Sequence, residues 1–408
     1  MTVGFGAVTS RLRLGRWIGL GLLAVALGAA GCSTAAPKEE ARGSQPPSAT
    51  PTSSRPAPTP VALALVPADQ AAEVAPGEPV TVHATSGKLT EVVVTGQDGK
   101  AVAGQLSPDG ASWQSTEALG YAKSYTAKAT GQGTDGKTAT ATSTFVTAKP
   151  RRQTGLSMNP LDGQTVGVGQ PLAFYFDTAV DRAAAQKAIH ITTTPATEGA
   201  FYWFSDREVH WRPKEYWQSG TKVAIDAAIY GKNLGNGIFG KEDRHAAITI
   251  GNSVVALADG ATHQMTVTVN GTVARTIPIS MGKKGHETPI GTYVVMGEYT
   301  NYVMDSSTYG VPVDSPAGYR TNIAYATRMS NSGVFYHSAP WSVRQQGHSN
   351  VSHGCLNMST ENAAWMQSIA QKGDIVVVQN SGGPQLETWD GLGDWQLTWT
   401  QWLAGGKA

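Results

Sequence analysis

The sequence predicts a mostly β protein: two tandem β-sandwiches followed by a third β-rich domain with one or two short helices. Three observations predict it. Only 15% of the 408 residues are charged while 47 are Gly and 22 are Pro, a balance that suits short strands joined by tight turns. Apolar residues alternate in short runs, with turn signals about every ten residues. The pattern also repeats. A Gly-x-Pro turn feeds an alternating strand at Gly77-Glu78-Pro79-Val80 and again at Gly169-Gln170-Pro171-Leu172, and a tryptophan-bearing strand follows each, with Trp113 and then Trp211.

Residues 1–32 read as an export segment. Arg11, Arg13 and Arg16 precede an apolar run from Trp17 to Ala30, too short to span a bilayer comfortably and proportioned like a signal peptide. Ala29-Ala30-Gly31 leads to Cys32, where the segment resembles a bacterial lipoprotein signal, with Ala29 in the place usually held by Leu. That resemblance implies acylation of Cys32 and a lipid anchor in the outer face of the cytoplasmic membrane. A plain secretory signal and an uncleaved anchor are the competing readings. Residues 33–60 are dominated by Ala, Pro, Ser and Thr without apolar periodicity, as in an extended tether.

The first sandwich is expected over 61–149 and the second over 150–250, each closing with two alternating strands around a Gly-rich turn. Their period of about one hundred residues and their short strands suggest the immunoglobulin-like type, without its cysteine pair. The Trp and Tyr residues of 201–217 are read as core and inter-domain packing. The third domain is expected over 251–379. Met265, Val267 and Val269 alternate into Asn270-Gly271, a type I′ turn signal, and Val273, Ile277 and Ile279 return as a hairpin. Further strands are predicted at 291–296, 333–336 and 374–378. A helix is predicted with Ser359 or Thr360 as N-cap, Ala363, Met366 and Ala370 on one face, and Gly373 as C-cap. Residues 296–328 read as a long aromatic loop that covers a site as a lid. The tail, 380–408, carries Trp389, Trp395, Trp399 and Trp402 and is expected to pack back onto the preceding domains.

A net charge of +1 without a basic patch excludes nucleic acid as a partner on electrostatic grounds. Cysteine use is more telling. There are two, Cys32 at the export boundary and Cys355. With Cys32 acylated or removed, Cys355 is a lone thiol in an oxidising compartment, a liability unless its reactivity is used. It lies in Val351-Ser352-His353-Gly354-Cys355-Leu356-Asn357, and fourteen residues separate Ser352 from His337, which ends the apolar run Gly333-Val334-Phe335-Tyr336. An imidazole nearby takes the thiol proton, and Gly354 lets the chain turn so that successive amides face a developing oxyanion. An inert buried cysteine fits poorly among Ser, His, Gly and Asn. A metal site of His337, His348, His353 and Cys355 lacks paired ligand spacing, so no metal or other cofactor is expected.

The stretch H-x14-S-H-G-C-L-N resembles the signature of the L,D-transpeptidase, or YkuD-type, catalytic domain, and Thr288-Pro289-Ile290-Gly291-Thr292-Tyr293 is similar to a second stretch common in that family. The whole layout is similar to the actinobacterial members with two immunoglobulin-like domains. The resemblance implies Cys355 as nucleophile, His337 as base oriented by the Ser338 carbonyl, and an oxyanion hole of the Gly354 and Cys355 amides with Tyr319; His353, on the wrong side of a tight turn, is the competing assignment for the base. Ser352, His353 and Asn357 would position substrate, with Tyr319 in the overhanging loop. Met304, Tyr309 and Trp341 are read as candidates to line the groove, with packing of the lid onto the sheet as the alternative for Tyr309. It implies peptidoglycan tetrapeptide stems as donor and acceptor, a 3→3 cross-link with loss of D-Ala, and carbapenem-type β-lactams as covalent inhibitors. The same thiol would also serve an L,D-carboxypeptidase or a protein-to-peptidoglycan attachment enzyme; a non-catalytic wall-binding protein is the reading from another class. A serine-type penicillin-binding enzyme is unsupported, since no S-x-x-K is followed by K-T-G. Lys283, Lys284 and His286 are read as solvated surface charges rather than as contacts for a stem carboxylate.

Overall fold

The computed structural model describes residues 57–405 except 317. The export segment, Cys32 with its expected lipid anchor, and the tether up to residue 56 lie outside the described residues.

Between Ala62 and Val146 two sheets face each other. One orders the strands Ala62–Val66, Thr81–Thr85, Ser112–Ser115 and Gly104–Leu106; the other orders Gly87–Gly96, Ser124–Gly133 and Thr138–Val146. In immunoglobulin lettering these are A-B-E-D against C-F-G. Tyr125, near the start of strand F, accepts a hydrogen bond from the Gly120 N–H at 2.8 Å, the tyrosine corner of that fold. The next sandwich repeats the plan. Leu156–Asn159, Leu172–Phe176, Glu208–Pro213 and Gly199–Ser205 form its A-B-E-D sheet. Ile189–Thr194, Lys222–Ala227 and Arg244–Ile250 form C-F-G, extended by a parallel Thr165–Val166 strand. A short helix, Arg182–Lys187, was not legible in advance; Asp181 caps it by accepting the Ala184 N–H.

The repeated tryptophans now have a physical reason. Trp113 pairs beside Val82 and Trp211 beside Leu172, each on strand E against strand B. Each indole also lies on a strand-D glycine. A Cβ on Gly104 would sit 1.9 Å from the Trp113 ring, and one on Gly199 would sit 2.0 Å from Trp211.

The third domain holds two sheets around one core. Thr272–Pro278, Gln264–Val269, Val254–Asp259, Ile375–Gln379 and Gly291–Val294 form the first, with Val254–Asp259 and Ile375–Gln379 parallel. Gly297–Asp305, Arg320–Arg328, Phe335–Ser338 and Leu356–Met358 form the second, the last two parallel. Met265, Val267, Ile277 and Tyr293 of the first meet Tyr336, Leu356 and Met358 of the second, closed by Ala363 and Met366 of the helix Thr360–Ile369. Ser359 is the N-cap, accepting the Asn362 N–H. The helix ends at Ile369, before the expected stop at Gly373. That glycine (φ +92°) instead lets the chain approach Gly167 of the second sandwich, whose N a Cβ there would meet at 2.8 Å.

A second correction concerns 296–328. Its flanks are strands, Gly297–Asp305 paired antiparallel with Arg320–Arg328, and a long connection that opens with a 3₁₀ turn at Ser306–Tyr309 joins them. Its first strand is mostly exposed, with Met304 buried and Gly297 at its root, so the apolar alternation that marks a strand is missing from the sequence.

The tail lies on the second sandwich. Trp402 is fully buried and donates its indole N–H to the Ala200 carbonyl (2.8 Å), and Trp395 donates to Gly169 (2.7 Å). The Arg212 guanidinium lies 4.4 Å from the Trp395 ring and 4.6 Å from the Trp402 ring. Buried Asp394 reaches His210 Nδ1 at 2.8 Å. Trp389 departs from the expectation that the indoles all pack, being 65% exposed. Trp402→Ala is therefore expected to destabilise the sandwich–tail unit by about 3–5 kcal/mol, while Trp389→Ala changes stability by less than about 0.5 kcal/mol, as read by denaturant unfolding followed by near-UV circular dichroism.

Candidate active site

Alternation along the second sheet of the third domain sorts its residues into two faces. Tyr336, Leu356 and Met358 point into the core, while Phe335 and Cys355 join Met304, Ile323 and Ala326 in a separate apolar cluster under the hairpin. His337 and Asn357 are partners across the parallel pair, and Cys355 precedes that short strand, two residues from Asn357. His337, Asn357 and Cys355 thus share one face and open into one cleft of about 230 Å³. Met304, Tyr319, Trp341, Ser352 and His353 line it too. His337 lies inside the strand Phe335–Ser338 rather than at its end.

Cys355 is a free thiol, 8% exposed, that donates to the Gly333 carbonyl at 3.5 Å. Burial pushes it up to about 11, against a backbone hydrogen bond from Phe335. His337 is 5% exposed, and burial pulls it down to about 4 against its hydrogen bond to Ser338. Its Nδ1 lies 2.9 Å from the Ser338 carbonyl. A carbonyl only accepts, so the proton is on Nδ1 and the Nε2 lone pair is free to take another. Both shifts favour the uncharged forms, a thiol and a neutral imidazole lining one cleft.

The nucleophile turn is closed by its own serine. Ser352 Oγ donates to the Cys355 carbonyl (2.6 Å) and accepts the Gly354 N–H (3.0 Å). Gly354 has φ +124°, a conformation that excludes side chains although the space around it is open. The expected oxyanion trio therefore loses one free member, because the Gly354 N–H is engaged by Ser352, whereas the Cys355 N–H takes no backbone partner among the described residues. Tyr319 hangs from the hairpin with its ring stacked on His353, centroids 5.7 Å apart. Burial pushes its phenol up to about 12, so it keeps its proton as a donor.

Of the two readings the sequence leaves for Tyr309, the structure takes packing. The residue does not line the cleft; its ring packs against Phe335 (6.3 Å) and over Gly333, where a Cβ would come within 2.5 Å of it. Trp341 is exposed beside His337, 6.0 Å between ring centroids. Asn357 Nδ2 donates to Ser342 Oγ (3.1 Å), while its buried Oδ1 has no partner among the described residues. His353 lines the cleft with an exposed ring and meets Lys283 Nζ at 3.2 Å. Sequence reasoning missed Gly333, whose carbonyl holds the thiol, and Thr288, whose hydroxyl accepts the Gly282 N–H (3.0 Å) and donates to the Gly354 carbonyl (2.8 Å). Thr288 opens the Thr-Pro-Ile-Gly stretch, so its signal was present but unassigned. Among the described residues no group of three or more His, Cys, Asp or Glu is arranged to hold a metal ion.

Residues 253–378 match the family model described as L,D-transpeptidase catalytic domain, and residues 71–233 match that of a bacterial Ig domain. L,D-transpeptidase 2 of Mycobacterium tuberculosis (strain CDC 1551 / Oshkosh) is 47% identical over 412 residues, covering 99% of this chain and 98% of that protein. L,D-transpeptidase 5 of M. tuberculosis (strain H37Rv) is 36% identical over 352 residues, 84% and 76% of the two chains. Among solved structures, LD transpeptidase LdtMt1 in complex with imipenem is 38% identical and covers 55% of this chain and 99% of that one, with a TM-score of 0.49.

The site predicts an unusual pH profile. His337 accepts a proton only while neutral, which its lowered pKa ensures above about pH 4. The rate at which Cys355 attacks a reactive acyl donor should rise as pH climbs through about 4, stay level through neutrality, and change again only as the thiol ionises near about 11. A rise centred on the ordinary histidine value of about 6.5 would show that the imidazole is solvated in the free protein.

Proposed function

Because this chain belongs to the L,D-transpeptidase family, we propose that it forms 3→3 cross-links in peptidoglycan through a Cys355 thioester with release of D-Ala. Cys355 Sγ attacks the carbonyl of the diaminopimelate–D-Ala bond in a tetrapeptide stem as His337 Nε2 takes the thiol proton. Charge develops on the carbonyl oxygen and is met by the Cys355 N–H and the Tyr319 hydroxyl. His337 then gives its proton to the departing D-Ala nitrogen. The amine of a second diaminopimelate attacks the thioester, losing its proton to His337, and the thiol re-forms as it leaves. The observation that carries this reading is the shared sheet face, on which a buried thiol and a base of fixed tautomer open into one cleft.

The same cleft supports carbapenem-type β-lactams as acylating inhibitors, since their strained carbonyl meets the same thiol, base and donors. Location follows from the export segment. The reading puts the enzyme outside the cytoplasmic membrane, held through acylated Cys32 by the tether, and rests on the basic residues, apolar run and small-residue approach to that cysteine.

Incubation with a disaccharide-tetrapeptide tests the chemistry by mass spectrometry. A dimer of two stems less one D-Ala is expected, abolished by Cys355→Ala and reduced about a hundredfold or more by His337→Ala. D-Ala loss with water addition and no dimer would make the enzyme a carboxypeptidase instead; full activity in Cys355→Ala would end the thiol mechanism. Tyr319→Phe should lower the acylation rate about a hundredfold with substrate affinity little changed, the signature of a donor used in the transition state.

A further inference from the structure

The interior of the Cys355 cleft is uncharged: no Asp, Glu, Lys or Arg lines it. A tetrapeptide stem ends in a carboxylate. With its scissile carbonyl over Cys355, that carboxylate lies one residue beyond the thiol, and an ion brought against an uncharged wall without a counter-charge is costly to desolvate.

A cation stands at the mouth. Lys283 Nζ lies 3.2 Å from Nε2 of His353, whose exposed ring lines the cleft and stacks on Tyr319. Burial first, then the nearby Lys283 and His286, lowers the His353 pKa. Its Nε2 therefore stays a lone pair that accepts one ammonium N–H and leaves two directed elsewhere. Lys283 meets no carboxylate of its own: the ion pairs of the described lysines join Lys214 to Glu198 and Lys232 to Glu78. On the hairpin side, Arg320 is already paired with Asp305 at 3.7 Å.

The backbone of the lysine is also held to the turn that carries the thiol. Its N–H donates to the Ser352 carbonyl (3.0 Å), and its own carbonyl accepts the His286 N–H (2.8 Å). Thr288 ties the neighbouring Gly282 N–H to the Gly354 carbonyl. A Cβ on Gly282 would lie 1.9 Å from the His286 carbonyl oxygen, so the loop admits no looser packing there. A flexible surface charge has no such staple to the nucleophile turn.

We propose that Lys283, positioned by His353, binds the terminal carboxylate of the donor stem and so selects stems that end in a free acid. This rests on the transpeptidase reading for the identity of the stem. The test is calorimetric binding of a tetrapeptide and of its C-terminal carboxamide to the Cys355→Ala protein, where neither is consumed. The acid is expected to bind about tenfold or more tightly than the amide. Adding Lys283→Met should bring that ratio to about one, and adding Lys283→Arg should retain most of it. Equal binding of acid and amide before Lys283 is changed, a preference that survives Lys283→Met, or a parallel loss of both ligands in that variant would each overturn the proposal. Since binding is read without turnover, its failure leaves the acyl-transfer reading standing, and failure of dimer formation leaves this result standing.

Discussion

Burial of two neutral titratable side chains on one sheet face is the constraint on which the rest of the third domain depends. Water would return Cys355 and His337 to their ordinary ranges, so something must keep it out. The hairpin Gly297–Asp305/Arg320–Arg328 extends the very sheet that carries the two residues, and its Met304 and Ile323 close over the thiol. A neutral pair is a slow pair until substrate arrives, because the thiolate is the nucleophile. On the proposed export it is also a safe one for an unpaired thiol, since outside the cytoplasm a preformed thiolate invites sulfenic acid or disulfide chemistry. In the proposed mechanism proton transfer is coupled to attack, and the fixed tautomer of His337 makes that coupling available without reorganisation.

Such a pair needs its backbone held from both sides. Ser352 closes the nucleophile turn internally, and Thr288 holds the Gly354 carbonyl from the neighbouring loop. On the His337 side, the Ser338 carbonyl fixes the ring, while Ser338 Oγ accepts the Tyr325 N–H of the hairpin at 3.2 Å. Thr288 in turn is tied through its carbonyl to Ser381, just after the strand Ile375–Gln379. Beyond it the chain runs into the tail that clamps the second sandwich through Trp395 and Trp402. The site is thus connected to the sandwich by covalent chain and by hydrogen bonds, including the close approach of Gly167 and Gly373.

The parts of this arrangement legible in the sequence were those that obey a local rule. The Asn270-Gly271 hairpin, the Ser359 cap and the two Trp-bearing sandwiches each announce themselves through turn chemistry or periodicity, and the Cys–His motif through the rarity of its residues. What was not legible depended on tertiary partners. The hairpin over the site looked like a loop because a strand standing clear of the core has no buried face to impose alternation. Gly373 looked like a helix stop because glycine at a helix end usually is one; here its freedom serves a contact more than two hundred residues away in sequence. Tyr309 could line the groove or pack the hairpin, because tyrosine near a site is amphipathic, and the bare Cα of Gly333 decides for packing.

The oxyanion site shows why the motif alone overstates the number of donors. In S-H-G-C every backbone N–H appears available, yet the serine that begins the motif takes the glycine's N–H to close the turn. Releasing Gly354 to the substrate would leave Ser352 Oγ without that donor and loosen the one contact that joins it, through its own hydroxyl, to the Cys355 carbonyl. The turn's rigidity and a third donor are therefore in competition, and in this structure rigidity prevails. In the proposed mechanism, stabilisation of the oxyanion then falls on the Cys355 N–H and on Tyr319, a residue supplied by the hairpin rather than by the turn. That makes the hairpin a chemical participant as well as a cover, and ties full activity to the hairpin standing over the thiol.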